Sequence, residues 1–326
     1  MPIKLADLKF YGSAVMPDDD TPTAIGGAID QTKRLEFFDV SGLVQLISDS
    51  TYDTTQIVTV YGRDTGGALV NEAKTVNGIT PVVYSTNFER LLKAIKNAVC
   101  VGNLAVETQT AERTNTAQAG SVDDITLDAA ASAVDDFFTP MVTRLTAATG
   151  SPAIRQTIKY VGASKLNTVD HVFAVAPTAG TTFRMAKGIV FEKDPVEVFE
   201  IRRPFYNAAA NPPAGATKEY YDKGFWRNTH ASLSLTTAVV KEASDPSGLI
   251  TFGVEATLDA AGTNGAGNNR LVAPGAITFD NADKNVVGGG ILSAGSGQGV
   301  WLKVTLLGGE AAQNTKYVSR LQGQTI

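Results

Sequence analysis

Two histidines, one cysteine and three groups of adjacent aspartates are the side chains through which this 326-residue sequence could do chemistry. His171 and His230 lie far apart and form no His-Glu-x-x-His pair, so the helical zinc-protease pattern is missing. Each neighbours apolar or aromatic residues, Val172-Phe173 in one case and Trp226-Arg227 in the other, and a structural or solvated role is expected for both. Cys100 stands between Val99 and Val101 with no Lys or His within two positions to favour its thiolate. It reads as a small buried hydrophobe in a strand. A single cysteine also excludes an internal disulfide framework and any multi-cysteine metal site.

The aspartate groups are Asp18-Asp19-Asp20, Asp123-Asp124 and Asp135-Asp136. Carboxylates can ligate Ca²⁺, but none of these has the spaced loop and distal Glu of an EF-hand. No aromatic sugar platform accompanies them, as a glycosidase pair would lead one to expect. Solvated turns are the reading taken. Gly-x-Ser-x-Gly and the Walker phosphate loop are both absent, and the clusters Gly288-Gly289-Gly290 and Gly295/Gly297/Gly299 do not open a helix. The densest aromatic and basic run is Tyr220-Tyr221-Asp222-Lys223-Gly224-Phe225-Trp226-Arg227. Tyr220, Tyr221, Phe225, Trp226 and Arg227 are its candidate contacts to a sugar or a partner surface, with packing between strands as the preferred alternative. No catalytic residue, metal ligand or cofactor is expected.

The elements that must position these residues are mostly strands. Net charge is −5, charged residues make up 19% and hydrophobic residues 43%. That is enough apolar material for packed cores, and a mildly acidic balance does not suit bulk nucleic-acid binding. No apolar run reaches membrane-helix length, and Met1 to Asp7 lacks the apolar stretch of a secretory signal, so neither a membrane partner nor export is expected. Gln56–Tyr61 reads as a strand, Arg63–Gly67 as a turn, Ala68–Val76 as the return strand, and Asn77-Gly78 as a tight turn. Thr86-Asn87-Phe88-Glu89 fits a capping box, and Phe88, Leu91, Leu92 and Ile95 share a helical face, which predicts one amphipathic helix near 86–97. Residues 108–121 hold no apolar side chain larger than Ala and read as a linker. The expected organisation is an N-terminal β domain over 1–107, the linker, a small β-sandwich over 122–186, and a C-terminal β-sandwich over 187–326. The last contains the alternating run Val196–Ile201 and an unanchored Gly/Asn-rich loop over 259–270.

Three stretches resemble modules of structural proteins in tailed bacteriophages. One is Thr59–Asp64 through Glu72, Val76-Asn77-Gly78-Ile79-Thr80-Pro81-Val82 and Phe88-Glu89. The second comprises Ile125–Ala129, Ala133–Phe137 with Met141, Arg155–Ile158, Tyr160–Ala163 and Thr168–Asp170. Its turn reads Gly150-Ser151-Pro152-Ala153 where the pattern usually has Gly-x-Gly. The third joins Tyr221, Lys223, Phe225 and Arg227-Asn228-Thr229 to Asp245–Gly248, Asn269–Pro274 and Gln298–Val304. The resemblance implies a mainly β chain of two or three linked β-sandwich (Ig-like) domains. It further implies a non-enzymatic virion component associated with capsid, neck or tail, assembled in the host bacterial cytoplasm. Its implied partners are further copies of itself in a symmetric particle and other virion proteins. A receptor- or glycan-binding module on the virion surface is the rival reading, and an extracellular hydrolase the third.

Overall fold

The computed structural model describes residues 3–18, 21, 23–36, 40–193, 198–204, 216–264, 270–309 and 317–325. Asp19 and Asp20, Val196 and Glu197 of the alternating run, and 265–269 of the Gly/Asn-rich loop lie outside the described residues. The chain is mainly β with several sheets. It divides into two compact units, one of Met1–Leu35 with Pro204–Ile326 and one of Glu36–Arg203. The sequence suggested boundaries at 107 and 187; instead, both ends of the chain share one unit.

The first unit opens with β1 (Leu8–Val15) and β2 (Gly26–Leu35), an antiparallel pair. The chain then builds the second unit. Here β3 (Val44–Ser48), β4 (Ile57–Asp64), β5 (Leu69–Thr75), β6 (Val82–Val83), β7 (Phe88–Lys96) and β8 (Leu104–Thr108) follow one another. After an excursion described below, β16 (Gly188–Phe191) pairs with β8, and β17 (Glu200–Arg202) pairs with β7. One sheet is thus ordered β17-β7-β4-β5 and the other β16-β8-β3-β6. Val58, Val60, Phe88, Leu91 and Ala94 of the first share one buried cluster with Val44, Leu46, Leu104, Val106 and Phe191 of the second. This is how two half-apolar sheets escape water. The β4–β5 turn forms as its residues dictate: Asp64 accepts the amides of Gly66 and Ala68, and Gly67 takes a positive φ.

The expected helix over 86–97 is a strand. β7 pairs antiparallel with β4, and the register slips twice, so that Glu89 and Leu92 are each an extra residue. Phe88, Leu91, Ala94 and Lys96 therefore stand opposite Asp64, Gly62, Val60 and Val58. Two bulges stretch the inward spacing from two residues to three. A three-residue spacing of apolar side chains is what a helical face displays, and that is why the pattern misled. Gly62 permits the geometry, because a Cβ there would meet the Arg90 carbonyl and the Phe88 ring. The strand expected over Val99–Val106 begins only at Leu104, and 99–103 form a loop. Cys100 is buried there, while Val99 and Val101 are exposed.

Between β8 and β16 the chain makes a second, smaller module. Its strands are β9 (Arg113–Thr116), β10 (Ala119–Gly120), β11 (Asp124–Thr126), β12 (Val142–Ala147), β13 (Ala153–Val161), β14 (Leu166–Val169) and β15 (Thr182–Ala186). They order as β10-β11-β14-β13-β12-β15-β9. The two edge strands come from one short segment, and so few residues cannot span an open seven-stranded sheet. The sheet must curl around its core of Ile125, Leu127, Phe138, Leu145, Tyr160, Phe183 and Met185. The expected linker 108–121 is therefore part of the module. With no large apolar side chain it holds by backbone pairing, β9 on β15 and β10 on β11, and by a charged pair between Arg113 and Asp128.

The chain then returns to the first unit with β18 (Thr217–Asn228), β19 (Leu235–Ser244), β20 (Ile250–Leu258), β21 (Lys284–Asn285), β22 (Gly297–Leu307) and β23 (Val318–Thr325). β20-β22-β18-β1-β2 form one run of strands and β21-β19-β23 a second sheet. Leu235, Ala238 and Val240 share a core with Phe252, Val300, Leu302 and Leu321. A second, smaller cluster of Ile25, Tyr221, Trp301, Ile277 and Phe279 also forms in this unit. No helix among the described residues is long and apolar enough to cross a membrane.

Candidate functional site

The aromatic and basic run that the sequence singled out forms β18, a strand paired on both sides, with β1 and with β22. A central strand has no free backbone edge, and its side chains pack on both faces. Tyr220, Tyr221 and Phe225 are buried, and Trp226 and Arg227 are partly buried. Trp226 packs on Phe10 at 5.2 Å between ring centroids and donates its Nε1–H to Ser319 Oγ at 3.0 Å. Tyr221 meets Phe279 edge-on and donates its hydroxyl to Glu219 at 2.6 Å. Burial and that carboxylate push the Tyr221 phenol above its ordinary range. Lys223, between them in sequence, is fully buried. Its ammonium reaches Glu255 Oε1 at 2.8 Å and the carbonyls of Ala260 and Gly262 at 2.9 and 2.8 Å. Burial pulls its pKa down, while Glu255 raises it. Two expectations meet here. The described part of the 259–270 loop is anchored, by Lys223 and by a bridge from Gly26 to Thr263.

The larger concentration of buried charge is elsewhere, where the small module joins the sandwich that carries it. Ile47, Ala105 and Val190 of the sandwich pack against Val142 and Ile154 of the module. On one side of this apolar patch lies Glu107, fully buried on β8. Its Oε1 accepts from Gln45 at 2.7 Å and pairs with Arg144 and Arg184, each at 3.1 Å. Arg184 also donates to the carbonyls of Thr108 and Gln109. A buried carboxylate survives only where such partners replace its water.

On another side Asp49 accepts the amides of Asn103 and Ile154 and faces Arg155 at 3.2 Å. Burial raises its carboxyl above the ordinary value, against the opposing pull of the Ile154 amide and Arg155. Asn103 donates to the Ile154 carbonyl and accepts from Lys193, and Gln156 accepts the Val190 amide, so polar side chains cross the joint in both directions.

Beyond Gln156 stands a third group. Asp170 directly follows β14, His171 comes next, and Glu192 directly follows β16. One donor atom from each lies within 4.8 Å of the others. His171 Nδ1 is 3.3 Å from Asp170 Oδ2, and its Nε2 is 3.6 Å from Glu192 Oε2. The Asp170 and Glu192 side chains are 5% and 1% exposed, His171 26%. His230, by contrast, uses Nδ1 to accept the amides of Ser232 and Leu233 and so caps a turn.

The aspartate groups build turns. Asp124 accepts the Ser121 and Thr168 hydroxyls, Asp135 the Gly162 amide, and Asp136 the Tyr160 amide and the Lys159 ammonium. Asp49, Glu107, Asp170 and Glu192 carried no sequence signal, since each stands alone in a strand or loop. His171 was visible only as one of two histidines. Comparison with protein-family models, with curated proteins and with solved structures finds no match for this chain.

Proposed function

We propose that this chain is a non-enzymatic structural component of a tailed-phage virion, acting through self-association and contacts with other virion proteins. The observation that carries the reading is the joint of the second unit. Asp49, Asn103, Glu107, Arg144, Arg155, Gln156 and Arg184 tie module and sandwich together. Such ties fix the orientation of two β modules, which a part of a repeating particle requires. The short modules of the three resembling stretches support the same reading. In a symmetric particle each contact is repeated many times, so a weak one gains by multivalency.

The test is quantitative mass spectrometry of particles banded by density from a culture producing the phage that encodes this chain. Several stoichiometric copies per particle are expected, and deletion of its gene should damage assembly or particle stability. Finding the chain in the lysate but never with particles would sink the proposal. The glycan-binding alternative requires the β18 aromatics at a surface, and Tyr220, Tyr221 and Phe225 are buried.

A further inference from the structure

The geometry points to a divalent transition-metal site of the zinc class formed by Asp170, His171 and Glu192, bridging the small module and the sandwich. Two observations carry it independently. The first is the donor set: one imidazole and two carboxylates with donor atoms within 4.8 Å of one another. Zinc–nitrogen and zinc–oxygen bonds of about 2.0–2.2 Å place tetrahedral ligand atoms roughly 3–4 Å apart. One ion takes one of the two ring nitrogens, so either the 3.3 Å from Nδ1 to Asp170 or the 3.6 Å from Nε2 to Glu192 is an edge of its shell, and each falls in that range. The second is what the Asp170 and His171 atoms lack. Asp170 Oδ1 is engaged by the Gln156 and His171 amides, but Oδ2 is buried, accepts no hydrogen bond and faces the ring. His171 Nδ1 is buried without a hydrogen-bond partner too.

A neutral imidazole carries one N–H and cannot donate to carboxylates on both of its sides. One ring nitrogen must then turn a lone pair toward an anion. A cation held by that nitrogen and the carboxylate facing it removes that conflict, and the other nitrogen keeps its N–H. Arg155, a cationic side chain beside the group, is directed to Asp49 and to the carbonyls of His171 and Val172. It fixes the loop that carries His171 and does not itself bond to the ring nitrogens. Imidazole favours zinc-class ions over Mg²⁺ and Ca²⁺, which prefer all-oxygen shells. The partly exposed His171 supplies the way in and leaves room for a water ligand. Because Asp170 and His171 belong to the module and Glu192 to the sandwich, a bound ion would clamp the joint.

The experiment is titration of the untagged, chelator-treated full chain with ZnCl₂ at pH 7.5, by calorimetry and by thermal melting, with MgCl₂ in parallel. One equivalent of Zn²⁺ should bind and raise Tm in a concentration-dependent way. His171→Gln and Glu192→Gln should each weaken binding at least tenfold, whereas His230→Gln should leave it unchanged. Since Glu192 is deeply buried, the metal-free melt of each variant checks folding; the more exposed His171→Gln decides the matter if Glu192→Gln does not fold. Absence of binding to the parent chain, or equal binding by His171→Gln, overturns the proposal. So does a Tm that ignores Zn²⁺ but rises as pH falls through the imidazole range, which would make a proton the bridging cation.

Discussion

β18 and the joint of the second unit both bury charge, but they do so by opposite routes. On β18 the cation is Lys223, set in one strand among its aromatic sequence neighbours and matched by Glu255 and backbone carbonyls of the same unit. At the joint Glu107 takes its partners from three other strands, Gln45 on β3, Arg144 on β12 and Arg184 on β15. A charge matched largely by backbone carbonyls can be lost without leaving charged side chains as orphans. A charge shared by several strands leaves each of them with an orphan when it is removed. Composition along the chain drew attention to the first region, whereas tertiary structure makes the second the more consequential.

The contrast can be broken by mutation. Glu107→Ala leaves two partly buried guanidinium groups facing each other and is expected to cost about 3–5 kcal/mol in urea unfolding. If it costs less than any change on β18, the distinction drawn between the two regions fails. Leu91→Ala probes β7, which forms one face of the sandwich under the joint; a buried leucine lost there costs roughly 2–5 kcal/mol. Lys223→Met keeps most of the stem and leaves Glu255 the Trp301 indole N–H at 2.8 Å. About 1–3 kcal/mol is expected, with the first unit affected and the second unchanged by hydrogen exchange.

The smallest effect concerns a carboxylate away from both. Glu72 is raised by burial but lowered further by the Lys74 ammonium and the Ser85 and Thr86 amides, to about 2 from an ordinary 4.5. A depressed carboxyl gives stability that is fully present above about pH 4.5 and is lost as pH falls toward about 2. Glu72→Gln should therefore flatten the fall of stability across that window and lower stability near neutrality by the same small amount, about 0.5–1 kcal/mol after solvent screening. An unchanged acid slope would move the acid sensitivity to another carboxylate.

Much of the β architecture was legible in the residues. The β4–β5 hairpin was readable because Asp64, Gly66 and Gly67 carry their turn geometry locally, and the Asn77-Gly78 turn forms where it was read, with Gly78 at positive φ. β7 was not readable, since two bulges gave a strand the spacing of a helix, and bulges depend on the partner strand. β9 and β10 were missed because edge pairing needs no apolar side chain.

The sequence by itself determined a mainly β chain, with its turns, its single thiol and its scarcity of imidazole, because these follow from composition and from contacts a few residues apart. Tertiary structure alone decided that the two ends of the chain share a unit, that Tyr220 and Phe225 are core, and that Asp170, His171 and Glu192 meet. Those outcomes depend on which strands pair across long stretches of chain. Pairing partners are selected by the burial of whole faces, a property that no local run of residues carries.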